Sequence, residues 1–98
     1  VLDVGTGTGI LAFLCEILGA KNLVGLEIDV EARRTARENA IVNKSRIQVP
    51  DLLIEEIDQS FDFVIANIID GVLVRLQDYL KKCVKPGGYL LLTGILDE

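Results

Sequence analysis

The chain has 98 residues, half of them hydrophobic, with ten basic and fifteen acidic side chains, a formal net charge of −5 and no histidine. That length holds one domain, and the apolar share suits a buried sheet. The acidic balance argues against a standing nucleic-acid footprint, which shows as a basic face, and histidine triads and histidine zinc ligands are out. The first element is a strand, Val1-Leu2-Asp3-Val4, which runs into Gly5-Thr6-Gly7-Thr8-Gly9 and then an apolar helical stretch from Ile10 to Leu18 stopped by Gly19. Strand, glycine turn and helix together read as the first crossover of an open parallel α/β sheet. Glycines there let a ligand touch the backbone and leave the amides of the helix start free for it.

Two fingerprints compete for this turn. The dinucleotide pattern G-x-G-x-x-G/A fits Gly7-Gly9-Ala12 only when forced, and Ile10 breaks it when counting starts at Gly5. The other is D-x-G-x-G-x-G, with Asp3 at the strand end. A pyrophosphate brings negative charge to the turn, where the Asp3 carboxylate repels it. No Lys or Arg precedes Lys21 to clamp a phosphate. S-adenosylmethionine offers an ammonium and a sulfonium instead, and Asp3 suits both.

The second strand, Leu23–Asp29, carries Glu27 twenty-two residues after Gly5, close to the spacing that sets an acid on ribose hydroxyls. A carboxylate accepts from both hydroxyls at once; the competing reading is a solvated acid at a strand end. Asp29 reads as the N-cap of a helix from Val30 to about Asn43, with Ala32, Ala36 and Ala40 inward and Ile41 beside them. Arg33, Arg34 and Arg37, interleaved with Glu31 and Glu38, read as a solvated face. Arg46–Val49 is a short third strand. Beyond it, Asp51 either accepts from an adenine amino group, with Leu52 on the ring, or caps a turn from Leu52 to Ile57. Phe61–Asn67 is a continuous apolar fourth strand. A helix from Val72 to Val84 follows, then Pro86-Gly87-Gly88 and a fifth strand, Tyr89–Thr93.

Asn67 closes the fourth strand beside the glycine turn, where an open sheet places ligands. Its side-chain carbonyl suits an amine acceptor, held by its N–H bonds with the lone pair toward a methyl group; the alternative is an Asn chosen for its turn conformation.

The sequence resembles the class I S-adenosylmethionine-dependent methyltransferases. The blocks Ala66-Asn67-Ile68-Ile69 and Gly94-Ile95-Leu96, with Val1–Gly9 and Gly25–Asp29, narrow the resemblance to the ribosomal protein L11 methyltransferases of the PrmA type. The resemblance implies a Rossmann-like open twisted sheet of five parallel strands in the order 3-2-1-4-5, with helices on both faces and further strands beyond the fifth. It implies methyl transfer from S-adenosyl-L-methionine to protein lysine or α-amino groups of a ribosomal protein in the cytoplasm. Asp3, Gly5, Thr6, Gly7, Gly9, Glu27, Ile28, Asp51 and Asn67 form the implied cofactor set, with Asn67 also facing the transfer site and no metal expected. A small-molecule or RNA methyltransferase with the same core stays open, as does an NAD-binding or non-catalytic nucleotide-binding module.

Cys15 and Cys83 lie far apart without a C-x-x-C spacing and read as reduced, buried thiols of a cytosolic protein. No apolar run in the 98 residues reaches membrane-spanning length, and the sequence shows no charged stretch with a cleavage site. A start inside a strand, without methionine, reads as one domain of a longer protein.

Overall fold

In a computed structural model of the chain, which describes residues 1–67 and 70–93, strands and helices alternate. Strand β1 (Leu2–Val4) leads to helix α1 (Ile10–Ile17), and β2 (Val24–Leu26) leads to α2 (Val30–Val42). A 3-10 turn (Ile54–Glu56) precedes β3 (Phe61–Asn67), and α3 (Asp70–Lys82) precedes β4 (Val84–Thr93). The sheet is parallel throughout in the order β2-β1-β3-β4. Parallel neighbours need long crossovers, which the helices supply.

Alternation along the strands sorts the core into two layers. Leu2, Val4, Val24, Leu26, Val64 and Ala66 cluster with Leu80 and Cys83 near the end of α3. The opposite layer holds Ala12 of α1 and Ala36 and Ala40 of α2 against Leu23, Ile47 and Val49. Each large side chain buried this way contributes about 1.5–3 kcal/mol; the alanines add little themselves but let α2 approach closely. Ile41, expected beside that stripe, points out and is 79% exposed.

Local chemistry sets the helix ends. The Asp29 carboxylate accepts from the Glu31 N–H at 3.0 Å, as an N-cap should. Gly19, at φ 109, closes α1. The Ala20 N–H bonds to the Cys15 carbonyl and the Gly19 N–H to the Glu16 carbonyl, both at 3.0 Å, which is a Schellman closure. α2 closes the same way, with Lys44 in the left-handed position at φ 54.

The expected third strand does not form. Residues 46–49 keep a single parallel bridge, Gln48 beside Val24, with Gly25 N–H to Gln48 O at 2.8 Å and Gln48 N–H to Leu23 O at 2.9 Å. The Arg46 N–H goes instead to Glu16 Oε2 at 3.0 Å, and Pro50, the next residue to face β2, has no N–H to continue the ladder. The described sheet therefore has four strands, not five. The last helix runs two residues earlier than its periodicity suggested, and β4 starts at Val84 rather than Tyr89. Val84 pairs with Phe61 and Tyr89 with Phe63, so Pro86-Gly87-Gly88 sits in a register shift. A side chain at Gly88 would lie 2.6 Å from the Asp62 carbonyl. Among the described residues no helix is long and apolar enough to cross a membrane.

β4 lies at one edge of the sheet, with Tyr89 74% and Leu91 47% exposed. An apolar edge is a template for another chain. Residues 1–98 produced alone should therefore self-associate, and Tyr89→Lys should shift the population toward monomer on size-exclusion chromatography. A wild-type fragment that elutes as a stable monomer at high micromolar concentration would contradict this.

Candidate functional site

The glycine turn is held from below. The N–H groups of Gly5 and Thr6 both donate to the Leu26 carbonyl, at 2.8 and 2.9 Å. Gly5 has φ 79, and a Cβ there would lie 2.8 Å from the Asn67 carbonyl oxygen, so only glycine lets β1 leave the sheet between β2 and β3. Gly9, at φ 91, caps α1 with no side-chain partner for the first-turn amides.

Beneath the turn lies Asp3, 1% exposed. One oxygen accepts from the Thr6 hydroxyl at 2.9 Å, while Oδ1 has no partner among the described residues. Burial pushes its carboxyl above the ordinary range, the Thr6 hydrogen bond pulls it back, and the charge on Glu27 adds to the rise. In the ladder Asp3 stands between Gly25 and Ile65. A side chain at Gly25 would meet Thr6 at 3.0 Å, so the empty position makes room for the Asp3–Thr6 pair.

A cleft of about 420 Å³ opens at the carboxyl ends of the strands. Its walls include Val4 and Gly5 after β1, Leu26, Glu27 and Ile28 after β2, and Asn67 at the end of β3. Glu27 is tied at both oxygens, by the Gly7 N–H at 2.9 Å and the Asp29 N–H at 3.2 Å. Each carboxylate oxygen keeps a further lone pair for a ligand.

Of the residues expected in the site, the cleft gathers Gly5, Glu27, Ile28 and Asn67. Asp3, Thr6, Gly7 and Gly9 form the layer beneath and beside it. Asp51 is taken up by two arginines rather than by the turn that follows it. Its carboxylate is held by Arg33 Nε at 3.0 Å and Arg37 Nη2 at 2.6 Å, hydrogen bonding and charge that keep it below the usual carboxylate range; Leu53, not Asp51, is the cap residue of the 3-10 turn. Two of the three arginines are thus cross-links rather than a solvated face. Leu53, Ile54 and Glu55 line the cleft beside Leu52, and Arg75 and Leu76 join from α3. The apolar run Leu52-Leu53-Ile54 after Pro50 was the available signal for that wall. Nothing in the helical pattern distinguished Arg75.

The parallel sheet with a glycine turn at its switch point defines the open α/β class that takes ligands at strand ends. A family model described as ribosomal protein L11 methyltransferase (PrmA) matches residues 1–98. Ribosomal protein L11 methyltransferases from Pseudomonas fluorescens and Citrifermentans bemidjiense are 47% and 44% identical over 100 residues, covering all of this chain. A crystal structure of ribosomal protein L11 methylase from Lactobacillus delbrueckii subsp. bulgaricus superposes with a TM-score of 0.88 at 35% identity, covering 96% of this chain and 50% of that one. The chain belongs to the ribosomal protein L11 methyltransferase (PrmA) family. It spans about one third of the length of the curated relatives it matches.

Asp3 generates a pH prediction. Its folded pKa is raised, so as pH rises above the ordinary carboxylate range, about pH 4, the native state holds more of this proton than the unfolded state. Stability from this group therefore falls as pH rises from there through the folded pKa. In Asp3→Asn that part of the decline should vanish, giving a flatter urea-midpoint profile from pH 4 to 7. Parallel profiles for the two proteins would place the burial cost elsewhere.

Proposed function

We propose that the chain is the cofactor-binding core of an S-adenosylmethionine-dependent methyltransferase that modifies amino groups of a ribosomal protein, in the cytoplasm. The observation that carries this reading is the convergence of Gly5, Glu27 and Asn67 on one cleft, in a chain of this family. The residues suit the cofactor. Gly5 brings bare backbone to the cleft, Asp3 holds beneath it a buried oxygen with no partner among the described residues, and no lysine or arginine occurs between Val1 and Gly9 to receive a phosphate. A ribosomal protein, rather than a nucleic acid or a membrane, is the partner that the chain's net charge of −5 and family suit.

The free lone pairs of the Glu27 carboxylate accept from the two ribose hydroxyls, and Ile28 packs beside them. The bound sulfonium supplies a methyl group on a good leaving group, so the protein's task is alignment and exclusion of water. Asn67 holds the acceptor amine through its N–H bonds and turns the lone pair toward the methyl carbon. A lysine amine, with an ordinary pKa of about 10.4, must arrive neutral, and the uncharged Asn67 amide does not favour the ammonium form.

Calorimetry on the full-length protein tests the cofactor: S-adenosylhomocysteine should bind and NAD should not. Glu27→Gln keeps the shape but weakens acceptance from two hydroxyls, and should cost about 1.5–3 kcal/mol of that affinity. An unchanged dissociation constant would remove Glu27 from the ribose.

Asn67→Ala should lower the rate of methyl transfer far more than it lowers S-adenosylhomocysteine affinity. Equal losses would put Asn67 in the cofactor site alone.

A further inference from the structure

The ribose acid and the loop opposite it are joined by one side chain. Arg33 leaves the first turn of α2 and is only 18% exposed, whereas its neighbour Arg34 is 65% exposed and, among the described residues, pairs with Glu31. Arg33 Nη1 donates to the Glu27 carbonyl at 3.0 Å. Its Nε lies 3.0 Å from Asp51 Oδ1. One turn along the same face, Arg37 binds the Val49 carbonyl and Asp51 Oδ1. Asp51 leads directly into Leu52, Leu53 and Ile54, the apolar wall of the cleft. A planar guanidinium with donors in a fixed fork can hold two acceptors at a set angle, which an ammonium cannot.

We propose that Arg33 is a positioning residue that fixes the spacing between the Glu27 carboxylate and the Leu52–Ile54 wall, and so sets how strongly the site discriminates for the ribose hydroxyls of its ligand. The proposal rests on the cofactor reading above. Glu27 is then held at three points: its carbonyl by Arg33, and its two oxygens by the amides of Gly7 and Asp29. Without Arg33 the strand end after Leu26 loses its link to the loop. The carboxylate still exists but no longer meets both hydroxyls in one geometry. The ion pair itself is a minor source of stability, because Asp51 is 68% exposed and solvent screens it. Geometry is what Arg33 supplies.

The test compares S-adenosylhomocysteine with its 2′-deoxy analogue, by calorimetry on the full-length protein. The wild type should prefer the ribose form by about tenfold or more, the range of a hydrogen bond to a charged acceptor. Arg33→Ala should compress that ratio to about threefold or less, Arg33→Lys should fall between, and Arg34→Ala should keep the wild-type ratio. Asp51→Asn, at an exposed position, serves where Arg33→Ala fails to fold, and should also compress the ratio. A merely structural Arg33 would weaken both ligands equally, and an unchanged ratio in Arg33→Ala or Asp51→Asn overturns the proposal alone. A wild-type protein that binds neither ligand overturns the cofactor reading and the proposal with it.

Discussion

Gly5 is the residue on which the site depends. Its N–H and that of Thr6 share the Leu26 carbonyl, and its α-carbon faces the Asn67 carbonyl so closely that a methyl group would sit at 2.8 Å. The ends of β1, β2 and β3 meet at this point. An L-residue at φ 79 would cost about 1–2 kcal/mol in backbone energy alone. The contact with Asn67 would add to this, because a backbone carbonyl in a paired strand cannot rotate aside. Glu27 follows Leu26 directly and Asn67 is itself the contact, so displacing Gly5 moves both functional candidates together.

A second constraint runs beneath it. A buried carboxylate with one satisfied oxygen is an expensive thing to keep in a core. Asp3 is kept there by a set of small accommodations: a hydroxyl at Thr6, no side chain at Gly25, and a turn that closes over it. Its charge acts on the cleft through protein rather than water, where the effective dielectric is lower and the same charge reaches further. In the proposed reading, that is how an acid that never touches the cleft surface favours a cationic ligand over a phosphate.

The parts of this arrangement that were legible in the sequence are those whose cause is local. Asp29 caps α2 because the carboxylate and the amide it binds are two residues apart, and Gly19 ends α1 within its own turn. That Glu27 and Asn67 would stand beside the cleft was legible because the cleft of an open sheet forms at its strand ends. The third strand was misjudged for a long-range reason. The Arg46 N–H went to the Glu16 carboxylate, thirty residues away on α1, and alternation in Arg46–Val49 carries no trace of that competitor. The partners of Asp51 are long-range too. Read alone it is an acid near a turn; in the fold, two guanidiniums one helical turn apart converge on it. The start of β4 was hidden by Pro86-Gly87-Gly88, which reads as a breaker but here forms a register shift within a continuing strand.

The charges around the cleft bear on why an amide, rather than an acid, would stand at the transfer position. A carboxylate beside an amine favours the ammonium form, and an ammonium has no lone pair to attack a methyl group. Glu27 is kept from that role by the Gly7 and Asp29 amides, which fix its oxygens on the β2 side. Glu55 is exposed on the rim, where water weakens its pull. Arg75 stands in the α3 wall of the same cleft, and a cation there disfavours a second cation nearby. With the acids held or screened and a guanidinium in the wall, a neutral acceptor such as Asn67 can bind the N–H groups of an amine without drawing a proton onto it. In the proposed reading, the polarity that suits a cationic cofactor from beneath, through Asp3, is thus separated from the surroundings that would keep an amine neutral above.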